Sequence, residues 1–262
     1  MSYAVKGVTT ERGLDAGDFA MVAYGGAGPL HAVAVAREIG IRNVIIPGAP
    51  GVFSAFGMLF SDLRYDYVRT HLMSLADAPF DDIEAVFQDL EQQGRDAIAA
   101  TSVKPHKITV KRALDMRYVG QEHPVTVELP MRVFQKQDRK AIKQHFDDDH
   151  MLRYGTSAPN ERSEIVSLRV TVAGLMKKPP QEKIKKGGAK PPKSAFSGKR
   201  PVSFDGKFRA APTYKRSELL AGNKISGPAL IEEHASTTVL MPRDRMTVDA
   251  YGNLVIRVAR AK

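Results

Sequence analysis

Glycine and proline are concentrated after an apolar run near the N-terminal end, which makes this stretch the one best suited to hold a ligand. The run Phe19–Tyr24 favours a strand. We call the residues that follow it the glycine turn: Gly25, Gly26, Ala27, Gly28 and Pro29. Glycine lets another molecule approach the backbone closely, and proline suits the first helical position. Because a helix N-terminus favours a phosphate or a polar ring edge, this turn is a candidate binding site. From the local residues alone, we favour a glycine turn that serves folding.

Two common nucleotide-binding glycine motifs do not match this turn. A P-loop needs Lys followed by Ser or Thr after its last glycine, whereas Pro29 and Leu30 follow here. A dinucleotide-binding motif would need a third glycine where His31 stands. It would also need an acidic residue after the next predicted strand, Asn43–Ile46, which runs into Pro47. The sequence therefore excludes both motifs.

Imidazoles and carboxylates crowd one short segment, His145-Phe-Asp-Asp-Asp-His150. Metal-binding histidines on one helix are usually four residues apart. Residues five apart diverge by about 140° around a helix. We therefore favour a solvated acidic turn over a metal site, and we assign no metal ligands.

Ser54 and His123 are two further candidates for a catalytic role. Ser54 lacks the flanking glycines of a nucleophile elbow, because Val52 and Phe56 occupy those positions. His123 could act as a general acid or base, but we prefer a structural role for it. The sequence alone therefore leaves the catalytic residues unassigned.

The spacing of apolar residues predicts two domains. Strands over 19–24 and 42–46 enclose a helix over 29–39, and a helix over 52–63 and a strand over 64–72 complete an α/β domain over 1–72. A helix-led, β-rich domain follows over 73–262. Its predicted elements are a helix from Phe80 to Ile98, a helix over 135–152 and strands over 107–118, 124–129 and 164–175.

Several stretches, in this order, carry a resemblance to a known family. They are Tyr24-Gly-Gly-Ala-Gly-Pro-Leu-His-Ala32, Val44–Gly57, Asp66–Thr70, Asp115-Met-Arg-Tyr-Val-Gly-Gln-Glu-His123, Glu164–Val170, Gly227–Glu233 and Ser236–Thr238. The sequence resembles the hydantoinase A / 5-oxoprolinase family, which includes N-methylhydantoinase A and subunits of acetone and acetophenone carboxylases. The resemblance covers nearly all of this chain but only the C-terminal portion of the family's chains.

The resemblance implies a fold and a cofactor. The fold would be the C-terminal piece of an actin-like (ribonuclease H-like) ATPase domain, followed by a mixed, mainly β domain. The glycine turn is similar to the segment that lies against the adenosine of ATP. ATP and Mg²⁺ are the implied cofactors. The Asp-x-Gly-Gly-Thr type of hairpin, which holds Mg²⁺ and the phosphates in such ATPases, is absent from this sequence, so half of the site is missing.

The activity implied by the resemblance is ATP-dependent hydrolysis of a small cyclic amide such as a hydantoin or 5-oxoproline. Two alternatives remain open: a subunit of an ATP-dependent ketone carboxylase, and a non-catalytic scaffold or interaction subunit. The expected partners are the missing N-terminal hydantoinase A portion, a hydantoinase B-like subunit, or a second copy of this chain. We expect no turnover by this chain alone.

The formal net charge of +10 is unevenly distributed along the chain. Residues 1–70 carry six Lys or Arg and six Asp or Glu, whereas residues 177–200 carry nine Lys or Arg and one Glu. The latter segment is rich in Lys, Pro and Gly, which predicts a solvated, mobile basic loop. No aromatic residues interleave the lysines of residues 177–193 as a nucleic-acid platform requires, so we predict no nucleic-acid partner.

Three absences narrow the cellular setting that the sequence predicts. No apolar run of about 18 residues is present, so we predict no membrane span. Cysteine is absent, which excludes disulfides and thiolate chemistry. No secretory signal is visible at the start. The expected location is the cytoplasm.

Overall fold

The computed structural model describes residues 1–260, which fold into two compact units. The first unit comprises Met1–Leu59 and Pro179–Lys262, and the second comprises Phe60–Lys178. This division differs from the predicted boundary at residue 72. The C-terminal strands return to the N-terminal segment, and the predicted β-rich domain is split between the two units.

The helices and strands are named here in chain order. The helices are α1 (Ser2–Val8), α2 (Gly28–Ile39), α3 (Phe53–Met58), α4 (Phe80–Ala99), α5 (Met131–Gln135) and α6 (Arg139–Tyr154). The strands are β1 (Ala20–Val22), β2 (Asn43–Ile46), β3 (Leu63–Ser74), β4 (Lys107–Tyr118), β5 (Val125–Glu128), β6 (Ser163–Leu175), β7 (Phe196–Phe204), β8 (Lys207–Lys215), β9 (Lys224–Ser226), β10 (Ala229–Glu233), β11 (Ser236–Leu240), β12 (Arg245–Val248) and β13 (Leu254–Arg257).

A five-stranded mixed sheet in the order β1-β2-β13-β12-β9 organises the first unit. Strands β1 and β2 are parallel, and α2 connects them, in the order predicted for these three elements. Gly40 ends α2 in the left-handed conformation expected of a C-terminal glycine cap, with φ of 85°. Strand β13 pairs antiparallel with β2 and places Leu254 opposite Ile46 and Ile256 opposite Val44. This non-local pairing explains why the two compact units differ from the predicted division at residue 72, because local periodicity carries no information about it.

A second sheet of the first unit has the order β11-β10-β8-β7. Strands β10 and β11 form an antiparallel hairpin, and β8 pairs parallel with β10 through residues 213–215. Ala32, Val33 and Ala36 of α2 lie in one apolar core with Ile231 of β10 and Leu240 of β11. Helix α2 therefore shares its core with the hairpin that follows 200 residues later in the chain.

The second unit is an antiparallel sheet, β3-β6-β4-β5, with helices packed against it. Its core joins Phe87 of α4 and Phe146 of α6 to Leu114 and Leu168 of the central strands. The predicted helix from Phe80 and the predicted strands 107–118, 124–129 and 164–175 are all present within one or two residues. Strong amphipathic periodicity explains the accuracy here.

The basic segment over 177–200 is mostly exposed, as predicted for a loop, but it has partners in the first unit that its composition did not indicate. Ile184 N–H donates to Ala250 O at 3.0 Å, and Gly187 N–H donates to Ala221 O at 2.8 Å. Residues from Phe196 onward belong to β7. Ile184 and Ala195 also pack against the apolar core of the first unit. No helix within residues 1–260 has the length and apolar character that crossing a membrane requires.

Candidate nucleotide-binding site

The glycine turn joins the end of β1 to the start of α2. Gly25 has φ of +86°, a conformation that residues with a side chain rarely adopt. Its N–H donates to Pro50 O at 2.7 Å, so this donor serves the fold rather than a ligand. Pro29 is buried in the first turn of α2 and also has a folding role. These two residues of the predicted site set the geometry of the turn.

The middle of the turn offers the donors that a ligand could use. Gly26 and Ala27 are exposed, and within residues 1–260 their N–H groups have no acceptor. They lie immediately before α2, where the helix dipole adds a partial positive charge. Gly28 is half-buried as the first residue of α2. The turn therefore presents two backbone N–H groups to an electronegative atom.

The turn between β10 and β11 lies against the glycine turn. Ser236 is buried, and its hydroxyl donates to Gly26 O at 3.0 Å. A Cβ added to Gly26 would lie 3.4 Å from Ala235 O, and one added to Gly51 would lie 2.9 Å from Ala235 Cβ. Contact with Ala235 therefore leaves little room for a side chain at Gly51, whereas a Cβ at Gly26 would meet Ala235 O at an ordinary contact distance.

Sequence reasoning missed the contribution of residues 233–236 to the site. The only available signal was the Ser236–Thr238 stretch that contributed to the family resemblance. Nothing local indicates that this stretch contacts a loop about 210 residues earlier. The contact arises because α2 and the β10–β11 hairpin share one core.

Arg216 fixes the β10–β11 hairpin in place. Its buried guanidinium donates to Glu233 Oε1 at 2.7 Å and to the carbonyl oxygens of Ile46 and Gly252, each at 3.0 Å. A charged group that is buried needs such complete pairing. Arg216 thereby ties the end of β10 to the loop after β2 and to the turn before β13.

Aromatic rings flank the same turn. The ring centroids of Tyr24 and Phe53 are 5.4 Å apart, and those of Phe53 and Phe56 are 6.0 Å apart. Tyr24 and Phe56 are each about half exposed. Backbone donors beside aromatic surface suit a planar heterocycle with electronegative edge atoms. The arrangement of these donors and rings therefore supports binding of such a ligand.

The His145–His150 segment has a structural role. It lies in α6, within the range of the predicted helix over 135–152, but it is partly buried rather than solvated. His150 is buried, with Nδ1 2.6 Å from Thr156 O, and Asp147 is buried beside Tyr118 and Lys143. His123 is exposed in the connection between β4 and β5. Within residues 1–260 no group of three His, Cys, Asp or Glu side chains could hold a metal ion.

Two family profiles match different parts of the chain. The profile described as "Hydantoinase/oxoprolinase C-terminal domain" matches residues 75–257, and the profile described as "Hydantoinase/oxoprolinase" matches residues 1–67. The chain belongs to the hydantoinase/oxoprolinase family. The second profile includes the glycine turn, whereas the first includes the β10–β11 hairpin.

Individual relatives in this family have several named activities. The chain is 34% identical over 256 residues to the uncharacterized protein MJ0964 of Methanocaldococcus jannaschii, covering 98% of this chain and 36% of that protein. It is 32% identical to caprolactamase subunit alpha of Pseudomonas jessenii, covering 92% and 35% of the two chains. It is 25% identical to the 5-oxoprolinase of Saccharomyces cerevisiae, covering 95% of this chain and 20% of that protein.

Two solved structures share the fold. The ATP-dependent caprolactamase of Pseudomonas jessenii aligns with a TM-score of 0.72 at 27% identity, over 98% of this chain and 38% of that chain. A nucleotide-free acetone carboxylase aligns with a TM-score of 0.78 at 23% identity, again over 98% and 38%. The chain thus spans about a third of the length of the relatives named first.

Proposed function

We propose that this chain is the C-terminal part of an ATP-dependent enzyme that hydrolyses a small cyclic amide, and that its glycine turn binds the nucleoside end of ATP. The observation that carries the proposal is the pair of exposed N–H groups of Gly26 and Ala27, which have no acceptor among the residues that the structure describes. They lie beside the aromatic rings of Tyr24 and Phe53. The ATP dependence of the related caprolactamase gives this donor pair a plausible ligand.

The fold that we propose for the site is the last part of an actin-like ATPase domain. The parallel pair β1 and β2, connected by α2, is the unit that supports this assignment. In parallel sheets, ligands bind at the carboxyl ends of the strands. The glycine turn follows the carboxyl end of β1, and the loop containing Gly51 follows that of β2.

The residues of this chain fit the nucleoside end of ATP but not its metal-bound phosphates. The glycine turn lacks the lysine of a P-loop, and residues 1–260 hold no metal-binding cluster. We therefore place the groups that would hold Mg²⁺ and the phosphates on a partner polypeptide, such as a hydantoinase A N-terminal portion. A hydantoinase B-like subunit is a second partner in this proposal.

The chemical role of this chain would be to position the nucleotide. ATP supplies a phosphoryl group that would make the carbonyl carbon of an amide electrophilic. Gly26 and Ala27 would hold the nucleoside by backbone hydrogen bonds, and Ser236 would keep their carbonyl–amide segment oriented. Because positioning contributes to phosphoryl transfer only together with charge stabilisation at the phosphates, we expect no turnover from this chain by itself.

Ketone carboxylation is the second candidate. Relatives include the acetophenone carboxylase gamma subunit of Aromatoleum aromaticum, at 27% identity, and the acetone carboxylase beta subunit of Xanthobacter autotrophicus, at 26% identity. The 32% identity to caprolactamase subunit alpha makes cyclic-amide hydrolysis our first choice. A non-catalytic scaffold is the third possibility.

One experiment separates these candidates. The chain is assayed alone and after co-expression with the N-terminal portion and the hydantoinase B-like subunit of a matching family member. ATP consumption and organic products are measured with caprolactam, 5-oxoproline or hydantoin, and with acetone plus bicarbonate. We expect a ring-opened amino acid from one cyclic amide in the assembled enzyme only. Product from the ketone alone would favour the carboxylase, and ATP turnover by the isolated chain would contradict the divided site.

A further inference from the structure

The edge of the five-stranded sheet at β1 is open and borders an apolar groove. Strand β1 is the terminal strand of the order β1-β2-β13-β12-β9. Ala23 N–H donates to Ile45 O of the β2 segment at 2.9 Å. Because backbone groups of a parallel strand point alternately to its two sides, the N–H of Val22 points away from β2. The open edge therefore offers backbone hydrogen bonds to another strand.

The groove beside this edge has a volume of about 480 Å³ and is lined by α1, β1 and α2. Phe19, Val22 and Tyr24 line it, and each is about half exposed. Its wall is anchored, since Ser2 at the start of α1 donates to Glu38 of α2 at 2.7 Å. Natural proteins usually protect an exposed strand edge, and a large exposed apolar surface often marks an interaction site. Together they favour a polypeptide that supplies both a strand and apolar side chains.

We infer that this groove, here called the β1 groove, docks the polypeptide that makes up the remaining length of this chain's relatives, with one strand of it added to β1. About two-thirds of the length of those relatives lies outside the match. A second copy of this chain fits less well. A two-fold interface places the same surface patch on both sides, and a concave groove leaves a void against an identical groove.

If a partner strand is added to β1, the stability of the complex should be sensitive to substitutions at Val22. Val22 is 49% exposed, and lysine there would place a charge in the groove without disturbing the core. Proline at the same position would remove the outward N–H but none of the hydrogen bonds to β2. Proline is tolerated on edge strands for this reason. A matched control is Val68 of β3, which is 48% exposed and lies in the second unit.

The test uses the full 262-residue chain co-expressed with the part of MJ0964 that lies outside the matched region. The complex is isolated, and its dissociation constant is measured by dilution in analytical ultracentrifugation. We expect a one-to-one complex, weakened at least tenfold by Val22→Lys and by Val22→Pro and less than twofold by Val68→Lys. Circular dichroism of each variant alone verifies that it remains folded. An altered spectrum for Val22→Pro would leave Val22→Lys as the deciding variant.

The partner's identity rests on the proposed function, whereas this measurement requires no ATP. A complex that depends on Val22 but hydrolyses no ATP would support the β1 groove and count against the proposed activity. Absence of a complex, a complex indifferent to both Val22 variants, or a homodimer that Val22→Lys disrupts would each overturn the docking inference. Active enzyme assembled equally well from the Val22→Lys chain would overturn the docking while leaving the activity intact.

Discussion

The hydroxyl of Ser236 donates to the carbonyl oxygen of Gly26 at 3.0 Å, although 210 positions separate the two residues in the chain. The bond holds the peptide between Gly26 and Ala27, whose N–H faces solvent. The orientation of a candidate ligand donor is thus set by a residue of another segment. The proposed site can therefore be tested by substitutions at Ser236 and at Gly26.

Ser236→Ala should weaken ATP binding by the assembled enzyme about threefold to tenfold. Loss of the buried bond frees the Gly26–Ala27 peptide and costs about 1 kcal/mol of stability. ATP affinity is measured by titration calorimetry and stability by urea unfolding. Thr237→Ala, at the neighbouring half-buried position, is the control and should bind normally. Equal affinities for both variants would separate Ser236 from the site.

Gly26→Val should weaken ATP binding more than tenfold, or about 1.4 kcal/mol, with little loss of folding. The added side chain would occupy the surface where the ligand lies, with its Cβ 3.4 Å from Ala235 O. Gly188→Val is the control, because a Cβ there meets nothing within 4 Å. Unchanged ATP affinity in a folded Gly26→Val enzyme would remove the glycine turn from the site.

Gly51→Ala should destabilise the chain by about 1–3 kcal/mol. Its new Cβ would lie only 2.9 Å from Ala235 Cβ, and one of the two loops would have to move. A Cβ added at Gly48, three positions earlier, would meet no heavy atom of the described residues within 4 Å. Gly48→Ala should therefore leave the stability unchanged. Urea unfolding of both variants measures the difference. Equal stabilities would show that the loop moves aside at no cost.

Asn223→Ala should release the basic segment from the first unit. Asn223 is fully buried, and its amide donates to Gly188 O at 2.7 Å while its oxygen accepts from Leu220 N–H at 2.8 Å. We expect a stability loss of about 2–3 kcal/mol and faster tryptic cleavage after Lys185 and Lys186. Asn43→Ala is the exposed control. Rapid tryptic cleavage after Lys185 and Lys186 in the unaltered chain would instead show that the basic segment is undocked in solution.

Tyr118 should make stability fall at alkaline pH. Burial, with a hydrogen bond to Asp147, raises the pKa of Tyr118 to about 12, against the opposing effect of the Ala158 N–H. The unfolded chain ionises near the ordinary pKa of 10.0. The stabilisation is therefore complete below pH 10 and is lost as pH rises towards 12, by at most about 3 kcal/mol.

Tyr118→Phe isolates that contribution. Urea unfolding gives the free energy of unfolding of the unaltered chain and of this variant. The excess of the unaltered chain over the variant should shrink between pH 9 and pH 11. A constant difference for Tyr118→Phe would mean that its hydroxyl ionises equally well in the folded and unfolded chains.

The sequence by itself determined the local elements and the family. Amphipathic periods located α4, β4 and β6, and the glycine turn marked the junction of β1 with α2, because such patterns are properties of consecutive residues. The order of several short motifs was enough to indicate the hydantoinase/oxoprolinase resemblance, which the family profiles confirmed.

Only the tertiary structure decided which distant segments meet. The pairing of β13 with β2 placed the C-terminal strands in the first unit. The shared core of α2 and the β10–β11 hairpin brought Ser236 to Gly26. Backbone hydrogen bonds docked a basic segment whose composition predicted a solvated loop. Each outcome depends on contacts between residues far apart in sequence, and the free energy of such contacts leaves no periodic signal in either partner.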